Sequence, residues 1–289
     1  MEEEKINPDL ARLDERFLDK PGFAMEECRS VAINMARKSQ KAMNLAIDLL
    51  GEYSDKTAVR VEKLENQIDQ YEDALGTYLV KLSGRELSIK DSRVLSVLLH
   101  CIGDFERISD HAVNIRDAAV EMHKKDLEFS EKAKQELNVF SNAIRDIVDR
   151  AVMAFETGDV ELAKEVEPLE QVVDALNKEE KQRHINRLRT GACTIELGFI
   201  LSDISTNFER AADHCSNIAV CLLQIDEGGF DTHEYLDILK EENSEEFRHE
   251  YMELSERYAL PESKHTGKKE KIVKTEKAEK TEERKDSGK

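Results

Sequence analysis

The stretch FERISDHAVNI at residues 105–115 recurs as FERAADHCSNI at residues 208–218, and the two copies agree at seven of eleven positions. Upstream of each copy, apolar residues follow one another at intervals of three and four, which predicts a helix with one core-facing side. Glu106, Asp110 and Asn114 are spaced four apart and therefore lie along one face of this helix. Because Glu106 directly follows a core-facing position, this acidic stripe borders the core without entering it.

A second pair of segments repeats at a shift of 105 positions. VEKLE at residues 61–65 aligns with VEPLE at residues 166–170, and Asp69 aligns with Asp174. Each acid in these segments also follows an apolar position by one, so the second helix of each half has an acidic stripe of its own. Duplication over this length predicts two similar three-helix bundles rather than an array of short repeats.

Turn and cap signals divide the chain into seven predicted helices, all of them α. The predicted helices are about 24–50, 57–83, 88–123, 130–155, 160–188, 192–225 and 231–257. Pro168 is expected to bend the fifth. The predicted organisation is an extended N-terminal linker (1–22), a first bundle (23–125), a second bundle (126–226), an additional helix (227–260) and a Lys/Glu-rich disordered tail (261–289).

The composition excludes several classes of protein. Charged residues make up 36% of the chain and aromatic residues 6%, with no Trp and four Pro, which favours long helices over a β-sheet. The formal charge of −19 argues against nucleic acid as a partner and favours cations or a basic protein surface. The acidic start is not a secretory signal, and no apolar run approaches the ~18 residues that a membrane span needs. Five cysteines without a CxxC pair indicate reduced thiols in a cytoplasmic protein.

The acidic stripes predict a cation site. If the second and third helices of a bundle pack antiparallel, their carboxylates meet along one groove. Four or more neighbouring carboxylates raise one another's pKa unless a cation neutralises them. Oxygen donors of this kind suit Mg²⁺, Mn²⁺, Ca²⁺ or iron, and suit Zn²⁺ less well.

Other side chains in the repeated motif are expected to have structural roles. His111 and His214 lie five positions after the glutamate, roughly 140° around the helix, so capping or bridging between helices is favoured over binding the same ion. Arg107 and Arg210 are expected to pair with acids on a neighbouring helix.

Two alternative interpretations stay open. Acids four apart on a charged helix usually form a solvated face, in which case the protein is a metal-free helical scaffold. A ferritin-like di-iron protein also uses Glu-rich helices, but its Glu-x-x-His motif occurs only as Glu246 and His249, outside the repeat. Because we find no nucleophile with its base and no phosphate-binding loop, we expect a protein that is not an enzyme.

The combined pattern resembles the PhoU family of phosphate-uptake regulators. The resemblance covers about residues 23–225 and rests on the twofold repeat, on Ile68-Asp69 of the second helix and on ERxxDHxxN of the third. It implies two three-helix bundles and multinuclear clusters of iron or zinc bound by E(D)xxxD motifs, with manganese and magnesium as further candidate ions. The metal ligands that the resemblance implies are Glu65, Asp69, Glu106, Asp110, Glu170, Asp174, Glu209 and Asp213. Further candidate ligands, which lie on the same acidic stripes, are Glu62, Asn114, Glu167 and Asn217. Pro168 and Val173 are small departures in the second half.

The front segment has a resemblance of its own. LDERFLDKPGFA at residues 13–24 is similar to the stretch that joins the membrane region of bacterial sodium/phosphate cotransporter-like proteins to their cytoplasmic PhoU-like domain. The chain is then either the soluble part of such a transporter or a free-standing relative. Both imply a cytoplasmic regulator at the inner face of the cell membrane that docks on a membrane phosphate transporter. A phosphate-sensing kinase and a second copy of the chain are further candidate partners, and nucleic acid is not.

Overall fold

The computed structural model describes residues 7–227 and 245–261, apart from the side chains of residues 225–227, and every regular element in these ranges is helical. The helices are α1 (Pro21–Gly51), α2 (Asp55–Ser83), α3 (Ile89–Lys124), α4 (Glu131–Thr157), α5 (Val160–Lys164), α6 (Val166–Arg189), α7 (Ile195–Glu227) and α8 (Glu245–Arg257). None of these described helices combines the length and apolarity that a bilayer crossing requires. The predicted tail beyond Pro261, and residues 231–244 of the predicted seventh helix, lie outside the described residues.

The helices form the two predicted bundles. Helices α1, α2 and α3 pack together, as do α4, α6 and α7, while α3 packs along α7 and α1 against α4. The phenylalanine that opens each repeated motif is fully buried. The Phe105 ring centroid lies 5.0 Å from that of Phe155, and the Phe208 centroid lies 5.2 Å from that of Phe140. The prediction of an all-α tandem repeat is confirmed, and α8 packs against α6.

Side-chain caps explain where several helices begin. Ser88 accepts a hydrogen bond from the backbone N–H of Asp91 at the start of α3 and donates its hydroxyl to the Asp91 carboxylate, 2.7 Å away. Ser54 and Ser130 cap α2 and α4 by accepting hydrogen bonds from the backbone N–H groups of Thr57 and Ala133. At the end of α4, Gly158 adopts φ of 70°, a left-handed conformation that favours glycine.

Pro168 has a stronger effect than predicted. A single bent helix was expected over 160–188, but the chain forms α5 and α6 with a break at Glu165. The proline ring clashes with the carbonyl of the residue four positions earlier, which is Lys164, the last residue of α5. In the first half, the residue that corresponds to Pro168 is Lys63, and α2 runs through it without a break. The helix therefore ends and restarts instead of bending.

The front segment is folded, which corrects the prediction of an extended linker. Leu10–Arg12 and Glu15–Asp19 form short 3-10 helices that pack against α1, and α1 begins at Pro21, a favoured first helical residue. The guanidinium of Arg12 pairs with the Glu27 carboxylate at 2.5 Å. The hydroxyl of Tyr78, on α2, donates to the backbone carbonyl of Asp14 at 2.9 Å. The described part of this segment is thus attached to α1 and α2 by specific bonds.

Candidate metal centre

Three carboxylates of the first repeat meet between α2 and α3. One oxygen each from Glu65, Asp69 and Asp110 lies within 4.8 Å of the other two. Glu65 and Asp69 share a face of α2 because they are one turn apart, and Asp110 lies on α3. All three residues are partly exposed, so a cation can reach them from solvent. The structure thus brings together three of the four ligands predicted for this repeat.

Burial and repulsion both disfavour the charged forms of these acids. Burial is the largest cause of the raised pKa of Glu65 and of Asp69, and neighbouring carboxylates raise both further. Glu106 lies one turn before Asp110, and burial followed by the charge of Asp110 raises its pKa to about 7. Arg107 opposes this rise without cancelling it. The fourth predicted ligand therefore belongs to the same electrostatic cluster, which has an excess of negative charge.

Within the described residues, Arg107 pairs on its own helix and not with a neighbouring one, so the prediction for Arg107 is wrong. Its guanidinium lies 3.4 Å from the carboxylate of Glu106 and 3.4 Å from that of Asp110, both on its own helix. Residues three apart on a helix are surface neighbours, which makes this local pairing available to a long side chain. Because the Arg107 side chain is 61% exposed, solvent screens the pairs and they add little stability.

The second repeat has a lysine among its acids. Lys178 on α6 donates from Nζ to Oδ2 of Asp174 at 3.0 Å. This hydrogen bond is the largest cause of the raised pKa of Lys178, and the charges of Asp174, Glu170 and Glu209 raise it as well. Under the shift of 105 positions, the first half has Asp73 where the second half has Lys178. The two acidic clusters therefore differ in charge.

Asp213 completes the second cluster. Burial is the first cause of its raised pKa, and the charges of Glu209 and Asp174 add to it. The carboxylates of Glu170, Asp174, Glu209 and Asp213 thus lie within electrostatic reach of one another or of Lys178. Among the described residues, however, only the first repeat offers three carboxylate oxygens grouped within 4.8 Å.

The four further candidate ligands have other contacts. Glu62 is exposed and lies 3.9 Å from the guanidinium of Arg116. Glu167 is 5% exposed and accepts a hydrogen bond of 2.6 Å from the Ser216 hydroxyl. The side chains of Asn114 and Asn217 donate across the repeat boundary to Asn207 and to Asp104.

The two histidines of the repeated motif connect α3 with α7, as one of the predicted roles requires. His111 Nδ1 lies 2.9 Å from Asn207 Oδ1, and His214 Nδ1 lies 2.8 Å from Asp104 Oδ1. The two imidazole rings stack with centroids 5.5 Å apart. Asp104 and Asn207 are equivalent positions directly before the repeated phenylalanines, and the sequence interpretation did not include them. Their signal was a polar residue at one position of both copies.

His111 makes stability depend on pH. Burial is the largest cause of its lowered pKa, so the folded state favours the neutral imidazole. His111 binds a proton more readily in the unfolded chain than in the folded one. The stability that neutral His111 contributes is therefore present above about pH 6.5 and is lost as the pH falls through the folded pKa. We expect His111→Gln to reduce the loss of stability between pH 8 and 5.5 relative to the wild type, as measured by urea unfolding. An identical loss in both proteins would contradict this assignment.

The alternative di-iron motif lies away from any helix-bundle core. Glu246 and His249 are both exposed on α8, whereas ferritin-like ligands project into the interior of a four-helix bundle. Their position does not support the ferritin-like interpretation.

A family model and individual protein sequences were compared with this chain, and they point to the same family. The model of the PhoU domain family matches residues 32–119 and 137–222, one segment in each repeat and together more than half of the chain. A phosphate-specific transport system accessory protein PhoU homolog 1 from Thermotoga maritima is 25% identical over 189 residues, covering 65% of this chain and 81% of the relative. A PhoU homolog from Pseudomonas aeruginosa is 24% identical over 219 residues, covering 75% and 90%.

Solved structures share the fold. The crystal structure of PhoU from Pseudomonas aeruginosa superimposes with a TM-score of 0.67 at 23% identity, covering 71% of this chain and 97% of that one. The phosphate transport system regulatory protein PhoU from Streptococcus pneumoniae gives a TM-score of 0.65 at 17% identity, covering 73% and 99%. With the repeated motif, the two bundles and the family match to both repeats, the chain belongs to the PhoU domain family.

Proposed function

We propose that this chain is a regulator of phosphate uptake that acts on a membrane phosphate transporter and does not itself catalyse a reaction. The match of the PhoU domain model to both repeats carries this proposal. The relatives named above are described as accessory proteins of a phosphate-specific transport system, and this chain covers 81% and 90% of their lengths.

We further propose that the carboxylates of the first repeat bind a metal ion. Glu65, Asp69 and Asp110 supply converging oxygens, and Glu106 adds a fourth carboxylate whose pKa of about 7 reflects burial and uncompensated neighbouring charge. A bound cation would replace this repulsion with attraction, and binding would release the proton that Glu106 holds near neutral pH. An all-oxygen set favours magnesium, manganese or iron on chemical grounds, whereas zinc more often recruits His or Cys.

The two acidic clusters are expected to bind metal unequally. In the second repeat, the Lys178 ammonium already occupies the position next to Asp174, so an incoming cation meets electrostatic repulsion there. We expect Lys178→Gln to raise the affinity of the second cluster for Mn²⁺ several-fold, measured by titration calorimetry. Lys134→Gln, which removes an ammonium from the second bundle away from these acids, serves as control. Equal binding by both variants would show that Lys178 does not compete with metal.

The front segment supports a more specific proposal, in which the chain serves a sodium/phosphate cotransporter-like protein at the inner face of the cell membrane. Its support is the similarity of residues 13–24 to the junction of such transporters and the attachment of this segment to α1 and α2 through Arg12 and Tyr78. Affinity purification of the tagged full chain from its native cells, with mass spectrometry, identifies the partner. Recovery of a phosphate-sensing kinase or of a second copy of the chain, without a phosphate transporter, would overturn this choice.

Phosphate uptake tests the regulatory role directly. Deleting the gene in the organism that encodes it is expected to change the initial rate of radiolabelled phosphate uptake in phosphate-rich medium, and re-expression of the wild-type chain should restore it. Re-expression of a chain carrying Asp69→Asn and Asp110→Asn should fail to restore it if the metal is required. Unchanged uptake after deletion would contradict the proposed function.

A further inference from the structure

Two cysteines lie opposite each other in the contact between the repeats. Helices α3 and α7 run antiparallel with a constant register. From one contact to the next, the residue number on α3 falls by as much as the residue number on α7 rises. The contacting pairs are Lys125 with Glu196, Asn114 with Asn207, and Asp104 with Asn217. One further turn on each helix reaches Cys101, three residues before Asp104, and Cys221, four residues after Asn217.

The thiols of Cys101 and Cys221 interact directly. Both are free thiols, and a hydrogen bond between the two side chains is the largest cause of the pKa shift of each. This bond and burial raise the pKa of Cys101, while acceptance of the bond lowers the pKa of Cys221. Cys101 is fully buried and Cys221 is 7% exposed, so Cys221 is both the more acidic and the more accessible thiol. In a reactive pair, the thiol with these properties acts as the nucleophile.

We propose that Cys101 and Cys221 form a site of reversible oxidation, at which a disulfide links the two repeats of the chain. With a peroxide as oxidant, the Cys221 thiolate attacks one peroxide oxygen, the O–O bond breaks and water leaves after protonation. The resulting sulfenic acid is attacked by the sulfur of Cys101. The S–S bond forms, the S–O bond breaks, and the second water leaves with the proton of Cys101. Two thiols lose two electrons in total, and one peroxide gains them. A dithiol reductant reverses the bond by exchange.

The disulfide would fix the two acidic helices against each other at one end of their contact. Helix α3 carries Glu106 and Asp110, and α7 carries the corresponding acids of the second repeat. In the repeat, Cys101 corresponds to Ile204 and Cys221 corresponds to Ala118. Alanine and isoleucine cannot form such a bond. The contact between α3 and α7 therefore has a cysteine pair at only one of its two repeat-related positions.

Peptide mapping tests this proposal on the folded full-length chain. The protein carries Cys193→Ser, because Cys193 is the one cysteine outside the buried class and would otherwise join separate chains. After treatment with hydrogen peroxide and alkylation of the remaining thiols, proteolysis and mass spectrometry should find one linked peptide pair containing Cys101 and Cys221. Dithiothreitol should abolish it. The oxidised chain should also migrate faster than the reduced chain on a non-reducing denaturing gel, because the bond closes a long loop.

Matched variants identify the thiols involved. Cys28→Ala and Cys215→Ala each remove a buried thiol outside the pair and should leave the linked peptide and the faster band in place. Cys221→Ala should abolish both. The proposal is overturned if the linked peptide is missing when peroxide has fully oxidised Cys193 in the wild-type chain. It is also overturned if Cys101 links to Cys28 or Cys215 as often as to Cys221. The peptide map is made with Cys101 and Cys221 intact, so misfolding caused by replacing either of these cysteines cannot produce either result.

Discussion

Replacing Phe208 with alanine is expected to lower the free energy of unfolding by about 3–5 kcal/mol, the range for deleting a buried aromatic side chain. The Phe208 side chain is fully buried, and its ring meets that of Phe140 edge to face with centroids 5.2 Å apart. Two acids of the second cluster, Glu209 and Asp213, lie on the same helix as Phe208. Urea unfolding followed by circular dichroism measures the loss.

Phe199→Ala is the matched control for this substitution. Phe199 lies on the same helix, but it is 69% exposed. Its replacement should change the free energy of unfolding by no more than about 0.5 kcal/mol. Similar losses at both positions would mean that Phe208 is not a core residue of the second bundle.

The double substitution Asp69→Asn and Asp110→Asn is expected to weaken Mn²⁺ binding to the first repeat by more than about 100-fold, since changes outside the immediate ligands alone typically cost 10–100-fold. Both carboxylates contribute oxygens to the group of three within 4.8 Å. Titration calorimetry of the full chain measures the affinity. Glu121→Gln removes an exposed carboxylate from α3 outside the cluster, and its affinity should equal that of the wild type. Retained Mn²⁺ binding to the first repeat in the double variant would exclude Asp69 and Asp110 as ligands.

The same double variant should be more stable than the wild type when metal is absent. The raised pKa of Glu106, about 7 against an ordinary value near 4.5, shows that its charged form is disfavoured in the folded state. The stabilising contribution of protonated Glu106 is present below about pH 4.5 and is lost as the pH rises through about 7. Removing the charge of Asp110 relieves this repulsion. Thermal unfolding in chelator at pH 8 should therefore give a higher midpoint for the variant, and a lower midpoint would contradict the predicted repulsion.

Local sequence signals predicted the features of the fold that depend on neighbours along one helix. The apolar spacing around Phe105 and Phe208 identified residues that are fully buried, and the cap signals placed the start of the third helix at residue 88, where Ser88 caps α3. Pro168 was recognised as a disturbance, but its effect was underestimated. Whether a proline bends or breaks a helix depends on how the segments on its two sides pack against other helices. The spacing of residues along one helix does not predict that packing.

The partners of individual buried polar side chains in distant segments were not predicted. Glu136 on α4 is 5% exposed and pairs at 2.8 Å with Arg183, which follows 47 residues later, and it also pairs with Arg187. A buried glutamate has the same local sequence context as an exposed one, so its partner becomes visible only in the fold. The pairing of Asp104 with His214 across 110 residues was missed for the same reason.

The candidate metal site was predicted in part. The register of the acids on α2 and α3 predicted that they would meet, and in the first repeat Glu65, Asp69 and Asp110 do so. The same pattern in the second repeat did not predict the role of Lys178, because that lysine was not compared with Asp73 of the first half. The two similar clusters thus differ in charge through one residue outside the motif.

Anomalous diffraction from crystals grown with Mn²⁺ tests the central claim most directly. Data collected near the manganese absorption edge should show a peak between the carboxylates of Glu65, Asp69 and Asp110, with Glu106 turned toward it. Manganese density confined to other parts of the chain, with these side chains directed into solvent, would contradict the assignment of the acidic groove as a metal centre.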